Sequence, residues 1–359
     1  MTLLSRRASL LALLTVFFVV LTACGSNSGN PGNSPSPASA GGESGPAPGM
    51  KEIPLVGVRD AQISAQLILA DKQGYFAEQG LKPEIQLLES GPDINGMIAG
   101  GSAPISFTGN QPAIILASNN VGVKVVAPLA QIGGTQAIVG GKNLILNSAK
   151  DLEGKTIGIP SGADVIMAIQ KMADELGVDF QKIKFVNLAP SDAVVALEKG
   201  EIDAMACWEP FVTKAINNGG KLLFSGMKSD LPEKKGDVNW MSVHTGMLVT
   251  DDYLSKNPET IEKLIAALKK ATDFINSNRE EAVKVLAPDL RVTEAELTEI
   301  MSRNSYSMEV DESYVKESNG QEIMDYFLKI GNIKNVPAYE KYNDFSILKK
   351  VDPSLIKVE

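Results

Sequence analysis

The chain has 359 residues, 44% of them hydrophobic, with two cysteines, one histidine and a formal net charge of −9. Such a length can bury a full core and suggests two lobes rather than one domain. The acidic balance argues against a nucleic-acid partner, and the scarcity of histidine and cysteine argues against metal centres and histidine-based acid–base catalysis, so no cofactor or metal is expected.

The N-terminus reads as an export signal. Arg6 and Arg7 precede an uncharged apolar run from Leu10 to Leu21, too short to span a membrane comfortably, which ends in Leu21-Thr22-Ala23-Cys24. Leu-Thr-Ala-Cys resembles a bacterial lipobox. Residues 1–24 are therefore expected to be a lipoprotein signal peptide, with Cys24 lipidated and the protein held on the extracytoplasmic face of the cell membrane. Residues 25–50 are rich in Gly, Ser, Asn, Pro and Ala and cannot bury enough surface to fold, so they read as a flexible tether. Cys207 lies in a different setting from Cys24 and reads as a small buried hydrophobe rather than its partner.

The folded region opens with a strand at Ile53–Val58 and a polar turn, Arg59 to Ser64, in which Ser64 can cap the helix that follows. A second strand at Glu84–Leu88 makes a parallel pair with the first. Strands at Ile105–Thr108 and Val123–Leu129 lead into two further polar turns, Gly109 to Pro112 and Gln131 to Thr135. Ala137–Gly140 reads as an extended linker.

Beyond it a fresh αβ series begins. Thr156, Ile157 and Ile159 predict a short buried strand and Pro160-Ser161-Gly162 a tight turn. Val165, Ile169, Met172 and Leu176 then recur at helical spacing until Gly177 ends the run. A helix starting just past a strand points N–H groups and its positive dipole end into the crevice where open α/β folds bind ligands. Such corners are common, however, and Ser161-x-x-Asp164 also has the spacing of a capping box. Strands at Lys184–Leu188, Asp203–Cys207 and Lys221–Phe224 alternate with helices at Ser191–Lys199 and Glu209–Asn217. The charged segment Lys228–Asp237 reads as a surface loop, Met241–Thr250 as a long strand returning to the first lobe, and Asn257-Pro258 as the start of a helix. No repeat relates the two lobes.

Four motifs in this order carry a resemblance: Gly74-Tyr-Phe-Ala-Glu-Gln-Gly-Leu81, Asp151-Leu-Glu-Gly-Lys-Thr-Ile-Gly158, Ala196-Leu-Glu-Lys-Gly-Glu-Ile-Asp-Ala204 and Trp208-Glu-Pro210. Together they resemble the substrate-binding lipoproteins of ABC importers, within the nitrate, taurine and aliphatic-sulfonate branch that includes binders of thiamine precursors. The resemblance spans about residues 51–335. It implies an α/β, type II periplasmic-binding-protein fold, with two lobes joined by a two-stranded hinge and a cleft between them. Residues 51–138 and 246–359 would form lobe 1, and residues 139–245 lobe 2. The protein would be a monomer that closes on a small-molecule ligand and docks on an ABC permease in the membrane.

Carried onto this sequence, the resemblance lines the cleft with the polar turns. In lobe 1 these supply Gln62 and Ser64, Asn110 and Gln111, and Gly133, Gly134 and Thr135. In lobe 2 they supply Ser161, Gly162, Ala163 and Asp164, then Trp208 and Glu209. His244 and Thr245, on the returning strand, face either cleft or core. A sulfonate or taurine-like zwitterion is the expected solute. Asp164 and Glu209 bring negative charge to the site, which counts against a bare anion such as nitrate and favours a zwitterion or an amine-bearing ligand; an amine, pyrimidine or other heteroaromatic nutrient is the alternative solute. The thiamine-pyrimidine synthases resemble this family but carry a histidine substrate and a cysteine-rich iron motif; with one histidine and only Cys207 in the folded part that chemistry lacks its parts, so an enzyme is not expected.

Overall fold

The structure is a computed structural model that describes residues 50–319, 321–329 and 331–358. The expected signal peptide, Cys24 and residues 25–49 of the expected tether lie outside the described residues. In chain order the first elements are β1 (Lys51–Val58), α1 (Ala65–Lys72), α2 (Tyr75–Glu78), β2 (Leu81–Leu88), α3 (Gly91–Ala99), β3 (Ile105–Gly109), α4 (Gln111–Ser118) and β4 (Val123–Gln131). There follow β5 (Gln136–Gly140), β6 (Thr156–Ile159), α5 (Ile166–Leu176), β7 (Lys184–Asn187), α6 (Pro190–Lys199), β8 (Ala204–Trp208) and α7 (Phe211–Asn217). Next come β9 (Lys221–Ser225), β10 (Lys228–Leu231), β11 (Lys234–Asp237), β12 (His244–Thr250), α8 (Asp251–Lys256), α9 (Pro258–Ser277), α10 (Arg279–Leu290) and α11 (Glu294–Ser302). The chain ends with β13 (Ser305–Tyr306), α12 (Glu312–Asn319), α13 (Gln321–Lys329) and α14 (Ser346–Val351).

These strands build two sheets. The first has the order β13-β4-β12-β3-β1-β2 and the second β11-β10-β9-β5-β8-β6-β7. Both are mixed: β1 runs parallel to β2 and β3 while β12 is antiparallel to β3 and β4, and β6 runs parallel to β7 and β8 while β5 is antiparallel to β8 and β9. The chain crosses between the sheets twice, from Gln131 to Gln136 and from Asp237 to His244. Two crossings suit relative rotation of the lobes, since few backbone dihedrals separate them.

Local sequence explains most elements. In α9, Pro258 occupies the first turn, where its missing N–H removes no helical bond, and Ile261, Leu264, Ile265, Leu268 and Ile275 form one buried stripe. In α5, Ile169 and Met172 are buried, and Gly177 ends the helix at a φ of 69°, left-handed backbone that glycine adopts without a Cβ clash.

Three expectations need correction. Ala137–Gly140 is not a linker but most of β5, a fully buried inner strand between β8 and β9. Small apolar residues ending in glycine do not distinguish the two. Lys228–Asp237 is not an open loop but the β10–β11 hairpin, whose Ser229 and Leu231 point inward between exposed charged residues. The capping box at Ser161 does not form, because α5 starts two residues past Asp164 and no hydrogen bond from the helix reaches its carboxylate.

Candidate functional site

The polar turn after β1 folds around its own aspartate. Asp60 Oδ1 accepts the backbone N–H groups of Gln62 and Ile63 at 2.9 and 2.8 Å, an Asx-type turn that fixes Gln62 in the interior. Gln62 is then held from several sides. Its Oε1 accepts from Gln136 Nε2 at 2.9 Å and from the Thr135 hydroxyl, its backbone carbonyl accepts from Thr245 Oγ1 at 3.2 Å, and its Nε2 donates to the Glu209 carbonyl at 3.2 Å. Gln62 thereby ties elements of both sheets together beneath a cavity.

That cavity, open to solvent and about 50 Å³ in volume, lies between the sheets. Asp60, Gln62, Asn95 and Gly109 line it from the first sheet's side, and Gly162, Ala163, Asp164 and Trp208 from the second's. The starts of α3 and α4 also reach it, through Pro92 and Pro112. Each proline stands in the first helical turn, where it removes one of the free N–H groups a helix start can offer an anion.

Two carboxyl groups dominate the charge. Asp60 is 2% exposed and its Oδ2 has no hydrogen-bond partner. Burial pushes its carboxyl up from 3.8 to about 7, against the lowering effect of the two backbone N–H groups and of the nearby Gln62 side-chain amide. Asp164 is only half-buried, yet loss of solvent around its carboxyl likewise pushes it up to about 7, with no hydrogen bond offsetting it. Among the cavity's lining residues there is no lysine, arginine or histidine. Asp164 Oδ2 and Gln111 Oε1 converge over bare backbone, at 3.1 and 3.2 Å from the point where a β-carbon on Gly109 would stand.

Of the residues that the sequence placed at the cleft, the structure brings Gln62, Gly162, Ala163, Asp164 and Trp208 to the cavity wall. The others lie elsewhere. Ser64 is buried at the start of α1 without a side-chain cap bond, and Asn110 Nδ2 donates to the Tyr314 hydroxyl at 2.7 Å. Gln111 is not a wall residue, although its Oε1 reaches the space over Gly109. Gly133 and Gly134 pack against the Met241 and Arg303 carbonyls, and Thr135 is bound to Gln62 and Asn304. Ser161 is exposed at the rim, with its N–H donating to Asn187 Oδ1. His244 packs its ring edge-on against Tyr314, at 4.9 Å between centroids, and Thr245 serves the Gln62 carbonyl. Glu209 is fully buried and faces away from the cavity. Arg303 Nη2 meets its Oε1 at 2.5 Å and the Thr213 N–H meets its Oε2 at 2.9 Å.

Asp60 and Asn95 are the functional candidates that the sequence reading missed. Asp60 stands inside a turn already marked as polar. Its signal was an aspartate two residues ahead of Gln62, the spacing of an Asx turn, which fixes one oxygen and leaves the other free to face the cleft.

Further contacts join the lobes around the cavity: Ser191 N–H donates to Glu89 Oε1 at 3.1 Å and Asn217 Nδ2 to Glu296 Oε1 at 3.1 Å. Both are exposed, so each contributes about 1 kcal/mol or less. Cys207 lies buried behind Trp208, and burial pushes its thiol well above its ordinary range, so it is an inert packing group. Among the described residues no cluster of His, Cys, Asp and Glu is arranged to hold a metal, and no helix is long and apolar enough to cross a membrane.

Comparison with known proteins gives consistent matches. The sequence model of the family described as NMT1/THI5 like matches residues 62–282. A Bacillus subtilis (strain 168) protein named for binding aliphatic sulfonates is 24% identical over 305 residues, covering 83% of each chain. The alkanesulfonate-binding protein SsuA from Xanthomonas axonopodis pv. citri, solved bound to MOPS, superposes with a TM-score of 0.68 at 17% identity, over 81% of this chain and 97% of that one. The desulfurization enzyme DSZB superposes with a TM-score of 0.60 at 13% identity, over 84% of this chain and 99% of that one. The two sheets with their paired crossings are thus the periplasmic-binding-protein architecture.

Proposed function

The chain belongs to the NMT1/THI5-like family, and from that membership we propose that it is an extracytoplasmic solute-binding protein that delivers a small organic solute to an ABC permease. The observation that carries this reading is the cavity itself, walled by loops from both sheets and bridged by the Gln62 to Glu209 bond. Closure of two lobes over such a site removes water, which strengthens each hydrogen bond to the solute and penalises a polar group left unmatched. Retention at the membrane through a lipidated Cys24 and the 25–50 tether completes the proposal.

The fold alone does not separate binder from enzyme, since DSZB shares it. A binder is favoured because no group in the cavity is set up as a nucleophile: the one described cysteine is buried away from the wall with its thiol held protonated. The similarity to sulfonate-binding proteins supports a sulfonate-bearing or taurine-like solute. Isothermal titration of the intact protein with a panel of sulfonates, nitrate, amino-sulfonates, amines and pyrimidines tests the proposal. Micromolar or tighter binding of one class, about −8 kcal/mol or better, with no turnover of the solute, is the expected result. Absence of binding across the panel, or consumption of the solute, would overturn it.

A further inference from the structure

We propose that the cleft seats the ammonium end of an organic amine or zwitterion, held between the carboxyl groups of Asp60 and Asp164 and walled by Trp208. This rests on the solute-binding reading above and names the chemical class of solute that the site takes.

Buried acceptors without donors are the main support. Asp60 Oδ2 and Asn95 Oδ1 are both buried and without a hydrogen-bond partner, and both residues line the cavity. An acceptor in that condition remains costly until a donor reaches it. An ammonium carries three donors and no acceptor, so it matches such a set where a sulfonate, which only accepts, does not. Asp164 Oδ2 and Gln111 Oε1 supply a second pair of acceptors about one open position above Gly109.

Charge points the same way. No cationic side chain lines the cavity. Glu209, the carboxylate that would compete for a cation, is neutralised by Arg303. Arg59, the arginine nearest in sequence, donates its Nη1 to the Asp289 carbonyl and leaves the cavity wall to Asp60. Proline in the first turns of α3 and α4 reduces what those helix starts offer an anion. Trp208 adds an aromatic wall of the kind that attracts ammonium groups. The carboxyls held near 7 by burial are poised to ionise when a cation arrives.

Matched probes test the proposal. Taurine and ethanesulfonate differ only in the amine, and 2-aminoethanol keeps the amine without the sulfonate. Isothermal titration of the intact protein near pH 8 is expected to show at least one amine-bearing probe binding about a hundredfold more tightly than ethanesulfonate. Asp60→Asn and Asp164→Asn should each weaken that binding about tenfold or more. Circular dichroism and thermal melts of both variants report whether each is folded, and Asp164→Asn, on a loop that makes no cap bond, keeps the test open should Asp60→Asn fail to fold. Ethanesulfonate binding as tightly as taurine, or affinities within about twofold in the folded variants, would overturn the ammonium seat and leave the solute-binding reading standing. If neither the amines nor the anions bind, the solute-binding reading fails and the seat falls with it.

Discussion

Asp164 and Gly109 face one another across the cleft, with Asp164 Oδ2 only 3.1 Å from the point where a β-carbon on Gly109 would stand. The missing side chain of Gly109 is what keeps this space open beside two acceptors. Gly109→Ala fills it with a methyl group whose nearest neighbours are the movable ends of Asp164 and Gln111. We predict that affinity for an amine-bearing solute falls about tenfold or more while stability changes by less than about 1 kcal/mol. Titration and urea unfolding of the same variant check both halves, and unchanged affinity would remove this space from the site.

Arg303 and Glu209 form a well-buried ion pair between the lobes, with Glu209 fully enclosed. Taking away the arginine leaves a buried charge without compensation, which costs about 3–5 kcal/mol. Arg303→Met should therefore destabilise by that amount in denaturant unfolding, and Arg303→Met combined with Glu209→Gln should recover much of the loss. An Arg303→Met variant as stable as the unmodified protein would show that the pair contributes nothing, and a double variant no more stable than the single would show that the unpaired Glu209 charge is not the source of the loss.

Asp60 links stability to pH. Its carboxyl is held near 7 in the folded protein against an ordinary 3.8, so between those values the folded state binds more protons than the unfolded state. Stability from this group is fully present below about pH 4 and is lost as pH rises through 7, by at most about 1.4 kcal/mol per pH unit. The groups that feel its charge are Cys207 and Tyr306, and burial keeps both protonated over this range. Asp60→Asn removes the term. The melting temperature of Asp60→Asn relative to the unmodified protein should thus climb from pH 5 to about pH 7 and level off by pH 8, and a constant difference would show that Asp60 is already ionised at pH 5.

Membrane retention is proposed to depend on Cys24. On expression of the full-length chain in a bacterium with lipoprotein processing, the unmodified protein should sediment with membranes and Cys24→Ser should lose its lipid label and enter the soluble extracytoplasmic or secreted fraction. Equal partitioning of the two would contradict lipidation at this residue.

Much of the architecture is readable in the chain because its local signals agree. At 155–177 a buried β run, a Pro-Ser-Gly turn and a 3.6-residue apolar period end in a glycine whose φ is 69°, and each feature selects the same strand-turn-helix. Where one segment suits two settings, the reading fails. Ala137–Gly140 makes an equally good linker or inner strand, and only pairing with β8 and β9 decides between them.

The site is less legible because its chemistry depends on partners far apart in sequence. Glu209 loses its place at the cleft to Arg303, 94 positions away, and no local pattern announces that pairing. Asp60 and Gln62 stand in one polar turn, yet which oxygen is satisfied and which faces solute follows only from the closed turn. Asp164 has the spacing of a helix cap, but its helix begins too late to use it, and the same carboxyl becomes a candidate for the ligand instead.

Proton linkage tests the central claim most directly. Asp164 is flanked by Gly109, by Gln111 and by Tyr326, whose hydroxyl feels its charge and is held up near 12 by burial, so the carboxyl of Asp164 and that of Asp60 are the groups able to titrate in the cleft near neutrality. An ammonium requires them ionised, whereas a bare anion requires them protonated. Titrating the intact protein with taurine and ethanesulfonate at pH 6 and pH 8, in buffers of different ionisation enthalpy, should show taurine binding strengthen by roughly tenfold per carboxyl with rising pH and release protons. Binding that weakens as pH rises, with uptake of protons and preference for ethanesulfonate, would contradict the account.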